Sequence, residues 1–415
     1  MRKIKPSGIT PAAGANSLLP HQRPFRWVML SLLWLLYCAF GLTQRSIAPL
    51  VTPILADLHL SYTQMGFILG SWQLTYIVAA VAAGTLIDRW GIRRTLLAGA
   101  LTMGLSSSLR YLVTGFGGML GAVALSGVGG PMISVGCPKA ISIWFSGKSR
   151  GTAVGIYLTG AWIGGIFALT LTNSVVMPML GHSWRQTFLL YGMMTFMVGL
   201  IWWVTARESG PSAAAGAPGM MSLFQRFIKV RDIRIVLILG LLSFAILHAL
   251  TYWLPRILET SGFSPALAGA AAAIPLASGI PALLIIPPLV PPSWRGRFLA
   301  LCTFLTLVTV ILIILTSGSM QIVSLILFGI VISTFYPILT LILMDAPEVG
   351  TAHMGSAGGM FFCVSEIGGF AGPLITGTIV DMTGTFKAVI FFFAAVCIAA
   401  FVLAMSLRKG GPHEA

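Results

Sequence analysis

The amino-acid sequence predicts an all-α polytopic membrane protein, and its composition and the distribution of its charges carry that prediction. Hydrophobic residues make up 57% of the 415 residues and charged residues only 8%, with a mean hydropathy of +0.93. A soluble domain usually carries about 25% charged residues. Residues 58–87, 111–138, 151–184 and 260–294 contain no Asp, Glu, Lys or Arg, and a helix needs only about 20 apolar residues to span a bilayer. Polar and apolar residues do not alternate, which argues against a transmembrane β-barrel.

Twelve apolar segments predict twelve transmembrane helices, arranged as two bundles of six. Their approximate limits are residues 27–52, 62–87, 95–114, 117–143, 151–176, 186–206, 235–258, 265–290, 298–316, 321–344, 354–380 and 387–407. The uncharged run 298–344 is divided into two spans by the sequence TSGSMQ, from Thr316 to Gln321, whose small polar residues are typical of a loop.

The basic residues predict which side of the membrane each loop faces. The net charge is +15, and 20 of the 25 Lys and Arg residues lie in the two tails and in the even-numbered loops between spans. Positively charged loops stay in the cytoplasm. Both termini are therefore predicted to be cytoplasmic, in a multi-pass protein of the cell inner (plasma) membrane. This one-sided distribution points to a lipid bilayer and not to a nucleic acid as the partner, and we expect a monomer.

An internal repeat divides the chain into two halves. The stretch GTAVGIYLTGAWIGG, from Gly151 to Gly165, matches GSAGGMFFCVSEIGG, from Gly355 to Gly369, at an offset of 204 residues. Parallel repeats of six helices are an arrangement that transporters use. The predicted units are a cytoplasmic N-terminal tail (1–26), a first bundle (27–206), a cytoplasmic linker (207–230), a second bundle (231–407) and a cytoplasmic C-terminal tail (408–415).

The loop between the second and third spans carries a specific motif. In AAGTLIDRWGIRRTLLAGA, from Ala82 to Ala100, four charged residues stand between two apolar runs. The motif resembles the cytoplasmic signature of the major facilitator superfamily, in which a glycine, an acid–arginine pair, a second glycine and further basic residues follow in this order. The matching residues are Gly84, Asp88, Arg89, Gly91, Arg93 and Arg94.

The resemblance extends over the twelve spans, the linker and the repeat, and it implies the major facilitator fold with a gating role for this loop. We expect Gly84 to allow close helix contact, Gly91 to form the turn, and Arg93 and Arg94 to anchor the loop at anionic headgroups. Asp88 is expected to form a latch in one conformation, because a switch needs contacts that differ between its states. The alternative is that these charges only set the topology of the loop.

Arg45 is the clearest candidate for substrate binding. It lies in FGLTQRSIAPL, well inside the first span, where a charge is costly and indicates function. A guanidinium binds a carboxylate or a similar oxyanion through two hydrogen bonds. Arg45 also resembles an arginine that binds substrate in anion-transporting branches of the superfamily. The alternative is that its side chain snorkels to the outer headgroups.

Five further residues are candidates for the same cavity. His248 occupies the position of Arg45 in the repeat and shares a helix face with Tyr252. His248 can donate to an anion or carry a proton, and the alternative is a buried, hydrogen-bonded histidine. Superfamily members line their cavity chiefly with spans one, four, seven and ten, which implies Tyr336 of the tenth span. Gln73 and Tyr76 of the second span complete the set.

Glu366 is the candidate for proton coupling. It is the only acidic residue near the middle of a span, and it replaces Trp162 of the other repeat. A carboxyl group buried in a span can bind and release a proton. The alternative is a hydrogen-bonded structural residue between helices.

These residues predict a secondary transporter and not an enzyme. The sequence contains no nucleophile constellation or phosphate-binding loop, and its five cysteines lack the spacing of a disulfide framework or a zinc site. No cofactor or metal is therefore expected. The predicted substrate is a small anion, an organic carboxylate, which is carried with a proton by alternating access. The alternatives are an exporter of amphiphilic or drug-like compounds and a carrier of nitrate- or cyanate-type inorganic anions.

Overall fold

The computed structural model describes residues 24–207 and 227–407, which contain helices and no strand. The long helices are α1 Phe25–Arg45, α2 residues 62–90, α3 residues 92–109, α4 Phe116–Trp144, α5 Lys148–Leu171, α6 Trp184–Thr205, α7 Arg231–Thr260, α8 Pro265–Leu289, α9 Arg295–Leu315, α10 Ser319–Asp345, α11 Gly350–Thr383 and α12 Val389–Met405. Short segments extend or join them at Ala48–Leu50, Val51–Asp57, Arg110–Leu112, Thr172–Val176, Met177–Met179, Pro292–Trp294 and Phe386–Ala388. The predicted tails and most of the predicted linker lie outside the described residues.

Helices α2 and α3 are the two arms of one 48-residue element, Tyr62–Leu109, which is broken at Gly91. Gly91 has φ 79° and ψ 165°, a conformation that favours glycine. Later residues of α2 contact later residues of α4, whereas the order is reversed for α3, so the two arms run in opposite directions. The contacts are Thr75 with Ala124 and Asp88 with Lys139 for α2, and Leu96 with Gly136 and Ser106 with Ala122 for α3.

The spans form two six-helix bundles, called here the N-terminal half (residues 24–207) and the C-terminal half (residues 227–407). Ten helices of the described chain are long and apolar enough to cross a membrane by themselves. The element Tyr62–Leu109 doubles back and supplies two more. By length and composition the described residues hold ten spans, or eleven if the bent element counts as one, and the predicted number of twelve is reached when its two arms are counted separately.

The two ends of the molecule differ in how the halves meet. The terminal end holds the first and last described residues, with Arg207 stacked on Phe25 in one half and Leu407 beside Gly296 in the other. The distal end is the opposite one, where α1 gives way to α2 and α7 to α8. All hydrogen bonds between the halves that involve described residues lie in the middle or distal part of the molecule.

Packing follows the same division between the two ends. One hydrophobic core continues from the distal part of the N-terminal half into the C-terminal half, whereas a second core at the terminal end belongs to the N-terminal half alone. Helix α11 lies so close to α2 that a side chain at Gly66 or Gly377 would overlap the backbone of the facing helix. Small residues permit such close approach where apolar burial provides no driving force. The contacts that join described residues of the two halves are therefore distal, and the core at the terminal end contains no described residue of the C-terminal half.

Candidate functional site

A cavity of about 660 Å³ lies between the halves. It is lined by α1 and α5 of the N-terminal half and by α7, α8 and α10 of the C-terminal half. Along α8 the lining extends from Ala272 to Pro288, which is from the distal third of the helix almost to its terminal end. The expectation that the fourth span lines the cavity is wrong, because α4 contributes no lining residue and α5 and α8 take its place.

Arg45 is the only charged side chain among the described residues that line this cavity. It lies twelve residues before Asp57, where the helical path of α1 ends, a distance of about 18 Å at 1.5 Å per residue. Its side chain covers Gly165 of α5, where an added Cβ would lie 2.9 Å from Arg45 Nε and 3.4 Å from Leu276 Cδ1 of α8. The side chain therefore points into the cavity and not toward the distal surface.

The guanidinium of Arg45 makes no hydrogen bond or ion pair with any described residue. It interacts electrostatically with Tyr252 and His248. A buried charge without a partner is strongly unfavourable. Arg45 is thus a positively charged group that is open to an anion from the cavity.

Tyr336 is the second predicted residue that lines the cavity, where its ring packs on Phe362 with the centroids 5.3 Å apart. The other polar lining side chains are Thr251, Ser333 and Thr340. Trp162, which the repeat aligns with Glu366, also lines the cavity from α5. The sequence analysis did not select Trp162, Ser333 or Thr340, because an apolar span provides no signal that tells lining residues from packing ones.

Four of the predicted residues form a separate polar cluster at the junction of α2, α7 and α11. This polar cluster consists of Trp72, Gln73, His248, Tyr252 and Glu366. Trp72 Nε1 donates to the Tyr252 hydroxyl at 2.7 Å, and Gln73 Nε2 donates to the Gly369 carbonyl at 3.3 Å. Glu366 Oε2 lies 4.0 Å from His248 Nε2. The cluster joins the two halves, because α2 belongs to one and α7 and α11 to the other.

The polar cluster contains hydrogen-bonding atoms that have no partner among the described residues. Glu366 is only 4% exposed, and its Oε2 accepts no hydrogen bond. His248 Nδ1 lies 3.1 Å from the Phe244 carbonyl. Since a carbonyl only accepts, Nδ1 carries the hydrogen, and Nε2 is left facing Glu366. A buried carboxyl oxygen without a hydrogen bond thus lies 4.0 Å from a ring nitrogen of His248.

Tyr76, the last of the predicted cavity residues, connects α2 to α4. Its hydroxyl is 2.8 Å from Ser134 Oγ, and its ring packs edge-on against Trp72 with the centroids 5.7 Å apart. It does not line the cavity. Tyr76 therefore supports the polar cluster from the N-terminal half.

The predicted gating loop makes its contacts within the N-terminal half. Asp88 forms an ion pair with Lys139 of α4, and Arg93 lies over the Trp203 ring at 4.4 Å. An added Cβ at Gly84 would meet no described atom within 4 Å, and the close helix contact expected of Gly84 stays a prediction. Gly91 forms the predicted turn. Among the described residues, no hydrogen bond or ion pair of Arg89 or Arg94 joins the halves, and a latch at Asp88 stays a prediction.

A network at the distal end does join the halves, and the sequence analysis missed it. Arg256 Nη2 donates to the Tyr62 hydroxyl at 3.1 Å, and Glu259 accepts a hydrogen bond from Thr52. Asp381, at the distal end of α11, accepts hydrogen bonds from the backbone N–H groups of Tyr62 (2.9 Å) and Thr63 (2.7 Å). It thereby caps the N-terminus of α2, where a negative charge is favourable.

Replacing Asp381 with asparagine is expected to favour opening of the distal end. The change removes the charge and one of the two acceptor oxygens at the N-terminus of α2, so the closed population should fall roughly three- to tenfold relative to the open one. Spin labels at the exposed residues Met179 and Thr260, in a cysteine-free background, report the distance across the distal end. Asp345→Asn is the matched control, because Asp345 pairs with Arg295 inside the C-terminal half. Equal distance distributions in the two variants would contradict the capping role.

Comparison with known proteins agrees with this architecture. The profile of the Major Facilitator Superfamily matches residues 33–373. A hexuronate transporter of Bacillus subtilis (strain 168) is 25% identical over 395 residues, which cover 86% of this chain and 90% of that protein. A galacturonate transporter of Dickeya chrysanthemi is 32% identical over 180 residues, which cover 43% of this chain and 50% of that protein. The solved structure of a mutant of the nucleoside transporter NupG has a TM-score of 0.78 at 17% identity, over 92% of this chain and 99% of that one.

The fold and the central cavity are those of a polytopic membrane transporter. The family profile covers most of the chain, and the chain belongs to the Major Facilitator Superfamily. The predicted fold class and the assignment as a transporter and not an enzyme are therefore confirmed.

Proposed function

We propose that this protein is a secondary transporter that binds a small organic carboxylate at Arg45. The observation that carries the proposal is an arginine that, among the described residues, has no hydrogen bond or ion pair and lies in a cavity between the two halves. A carboxylate supplies the missing negative charge and matches the two parallel N–H donors of the guanidinium. The named relatives support the proposal, since hexuronates and galacturonate are carboxylates.

Alternating access accounts for the position of the cavity. The distal network and the α2–α11 contact close one side, while the lining of α8 extends toward the terminal end. Rocking the halves about the middle would break the distal contacts and bring the terminal ends together. The proposed rigid units are the predicted bundles, residues 27–206 and 231–407, joined by the linker 207–230.

Proton coupling is assigned in this proposal to Glu366 with His248. The two groups face each other within the polar cluster, and a proton can pass between them directly or through one water molecule. Arg45 interacts electrostatically with His248. A bound anion offsets the positive charge of Arg45 at that site, so anion binding and proton binding favour each other.

Counterflow in reconstituted vesicles tests the transport function. Vesicles loaded with an unlabelled carboxylate are diluted into a trace of the same labelled compound. We expect transient uptake of label above the level in protein-free vesicles, for at least one member of a panel that includes galacturonate and octanoate. The same assay with labelled nitrate addresses the inorganic-anion alternative. Counterflow of nitrate without counterflow of any carboxylate would contradict the proposal.

The proposed orientation has both termini in the cytoplasm. Most of the basic residues lie in the tails and even-numbered loops, and such loops remain cytoplasmic. Reporter fusions after Arg94 and after Gly219 are expected to give cytoplasmic activity, and a fusion after Leu180 periplasmic activity. The opposite pattern would overturn the orientation without affecting the fold.

A further inference from the structure

We infer that the substrate is a monocarboxylate with an apolar, elongated body and not a polyhydroxylated sugar acid. The inference rests on the proposed function, because it takes Arg45 as the site of the carboxylate. It concerns what the remainder of the cavity accepts. Its support comes from how many polar groups line the cavity, where they lie and whether they already form hydrogen bonds within the protein.

The charge of the lining limits the substrate to one negative group. Of the twenty described lining residues, Arg45 alone carries a charge. His248 and Glu366 lie in the polar cluster and do not line the cavity. A second carboxylate would therefore lie in the cavity without a cation, which is unfavourable in a site of low polarity.

The hydroxyl groups of the lining are too few for a sugar acid. Thr340 already donates to the Tyr336 carbonyl at 2.8 Å, and Ser333 donates to the Ile330 carbonyl at 3.1 Å. The Tyr336 hydroxyl is hydrogen-bonded to the side chain of Thr340, so that, among the lining hydroxyls, Thr251 alone has no hydrogen bond within the described chain. A hexuronate brings several hydroxyls that each need a partner, and hydroxyls against an apolar wall lose their bonds to water without replacement.

The remaining fifteen lining residues are apolar and continue in one direction from Arg45. Leu276 of α8 and the side chain of Arg45 approach the same point beside Gly165, and the lining then follows Leu283 and Pro287 toward the terminal end. Leu276 and Pro287 are eleven positions apart, which corresponds to about 16 Å of helix. A carboxylate held at Arg45 can therefore extend an alkyl or aryl body along this wall and remove apolar surface from water.

A series of ligands on the full chain in lipid nanodiscs tests the inference. Calorimetry compares butanoate, hexanoate and octanoate with galacturonate and with uncharged octan-1-ol, after subtraction of the heats of empty nanodiscs. We expect affinity to rise about fourfold for each added methylene. Octanoate should bind at least about tenfold more tightly than galacturonate, and Arg45→Lys should weaken octanoate binding.

Two neighbouring leucines of α8 provide a test of the apolar lining and its matched control. Leu283 lines the cavity, whereas Leu284 is 57% exposed on the outer face of the same helix. Leu283→Thr should weaken octanoate binding roughly three- to tenfold. Leu284→Thr should leave the affinity unchanged. Equal octanoate affinities in the two variants would overturn the assignment of this wall to the substrate.

The outcomes separate the inference from the function on which it rests. Galacturonate that binds more tightly than octanoate, with a dependence on Arg45, would overturn the inferred substrate class and leave the carboxylate transporter intact. Octanoate that binds no better than octan-1-ol, without dependence on Arg45, would overturn the proposed function as well. Absence of binding for every carboxylate would overturn both.

Discussion

Replacing Arg45 with lysine is expected to weaken carboxylate binding about ten- to a hundredfold. Lysine retains the charge, but it loses the planar pair of N–H donors that holds a carboxylate in two hydrogen bonds. Charge-assisted hydrogen bonds of this kind contribute about 1.5–3 kcal/mol, which corresponds to that range of affinity. Arg45→Ala should weaken binding at least as much. Titration calorimetry with an identified carboxylate measures the three affinities.

Gly165 offers an independent test of the same arginine without changing its charge. A methyl group at this position would collide with the side chain of Arg45, so Gly165→Ala should displace the guanidinium and weaken binding in the same direction. Arg185→Lys is the matched control, since Arg185 pairs with Asp57 at the distal end of the same half. Affinities that are equal in wild type, Arg45→Lys and Gly165→Ala would remove the main support for an anionic substrate.

The repeat in the sequence predicted more of the site than its individual motifs did. Arg45 and His248 are related by an offset of 203 residues, and Gly165 and Gly369 by an offset of 204. In the structure Arg45 covers Gly165, and His248 lies beside Gly369, where an added Cβ would be 3.1 Å from Nδ1. Each half thus places a polar side chain of its first helix over a glycine of its fifth. Arg45 could be selected from the sequence alone, because a charged residue inside an apolar span is recognisable without coordinates.

Contacts across the halves could not be predicted in the same way, because they depend on how the two bundles are rotated against each other. The hydrogen bond from Trp72 to Tyr252 and the cap of Asp381 on α2 each join residues of opposite halves. Asp381 lies at a helix end, where an acidic residue in the sequence resembles a solvated surface group. The choice of α8 over α4 as a wall of the cavity likewise follows from the arrangement of the bundles and not from local sequence.

Replacing Glu366 with glutamine is expected to separate substrate exchange from proton-driven accumulation. With one proton carried for each monocarboxylate, a gradient of one pH unit supports about tenfold accumulation. Glutamine retains the size of the side chain and its hydrogen-bonding capacity but cannot titrate. Accumulation in the variant should therefore fall to the level without a gradient. Counterflow of the same carboxylate should persist within about threefold, because exchange needs no net proton movement and Arg45 is unchanged.

The measurement uses vesicles with an imposed pH gradient and a labelled carboxylate that does not cross protein-free vesicles. Glu348→Gln is the matched control, since Glu348 lies outside the polar cluster, between α10 and α11. Three titratable groups besides His248 interact electrostatically with Glu366, namely Tyr76 on α2, Tyr252 on α7 and Cys363 on α11. His248→Gln distinguishes the two members of the facing pair.

Each possible result of the Glu366 experiment assigns the proton-carrying role to a different group. Loss of accumulation with retained counterflow in Glu366→Gln, but not in Glu348→Gln, supports Glu366 as the group that carries the proton. The same pattern in His248→Gln alone would move that role to the imidazole and leave Glu366 as its neighbour. Full accumulation in both variants would contradict coupling at the polar cluster. Glu366 would then be a structural residue that joins α7 to α11, as the sequence alternative holds, and the driving force would have to act elsewhere in the protein.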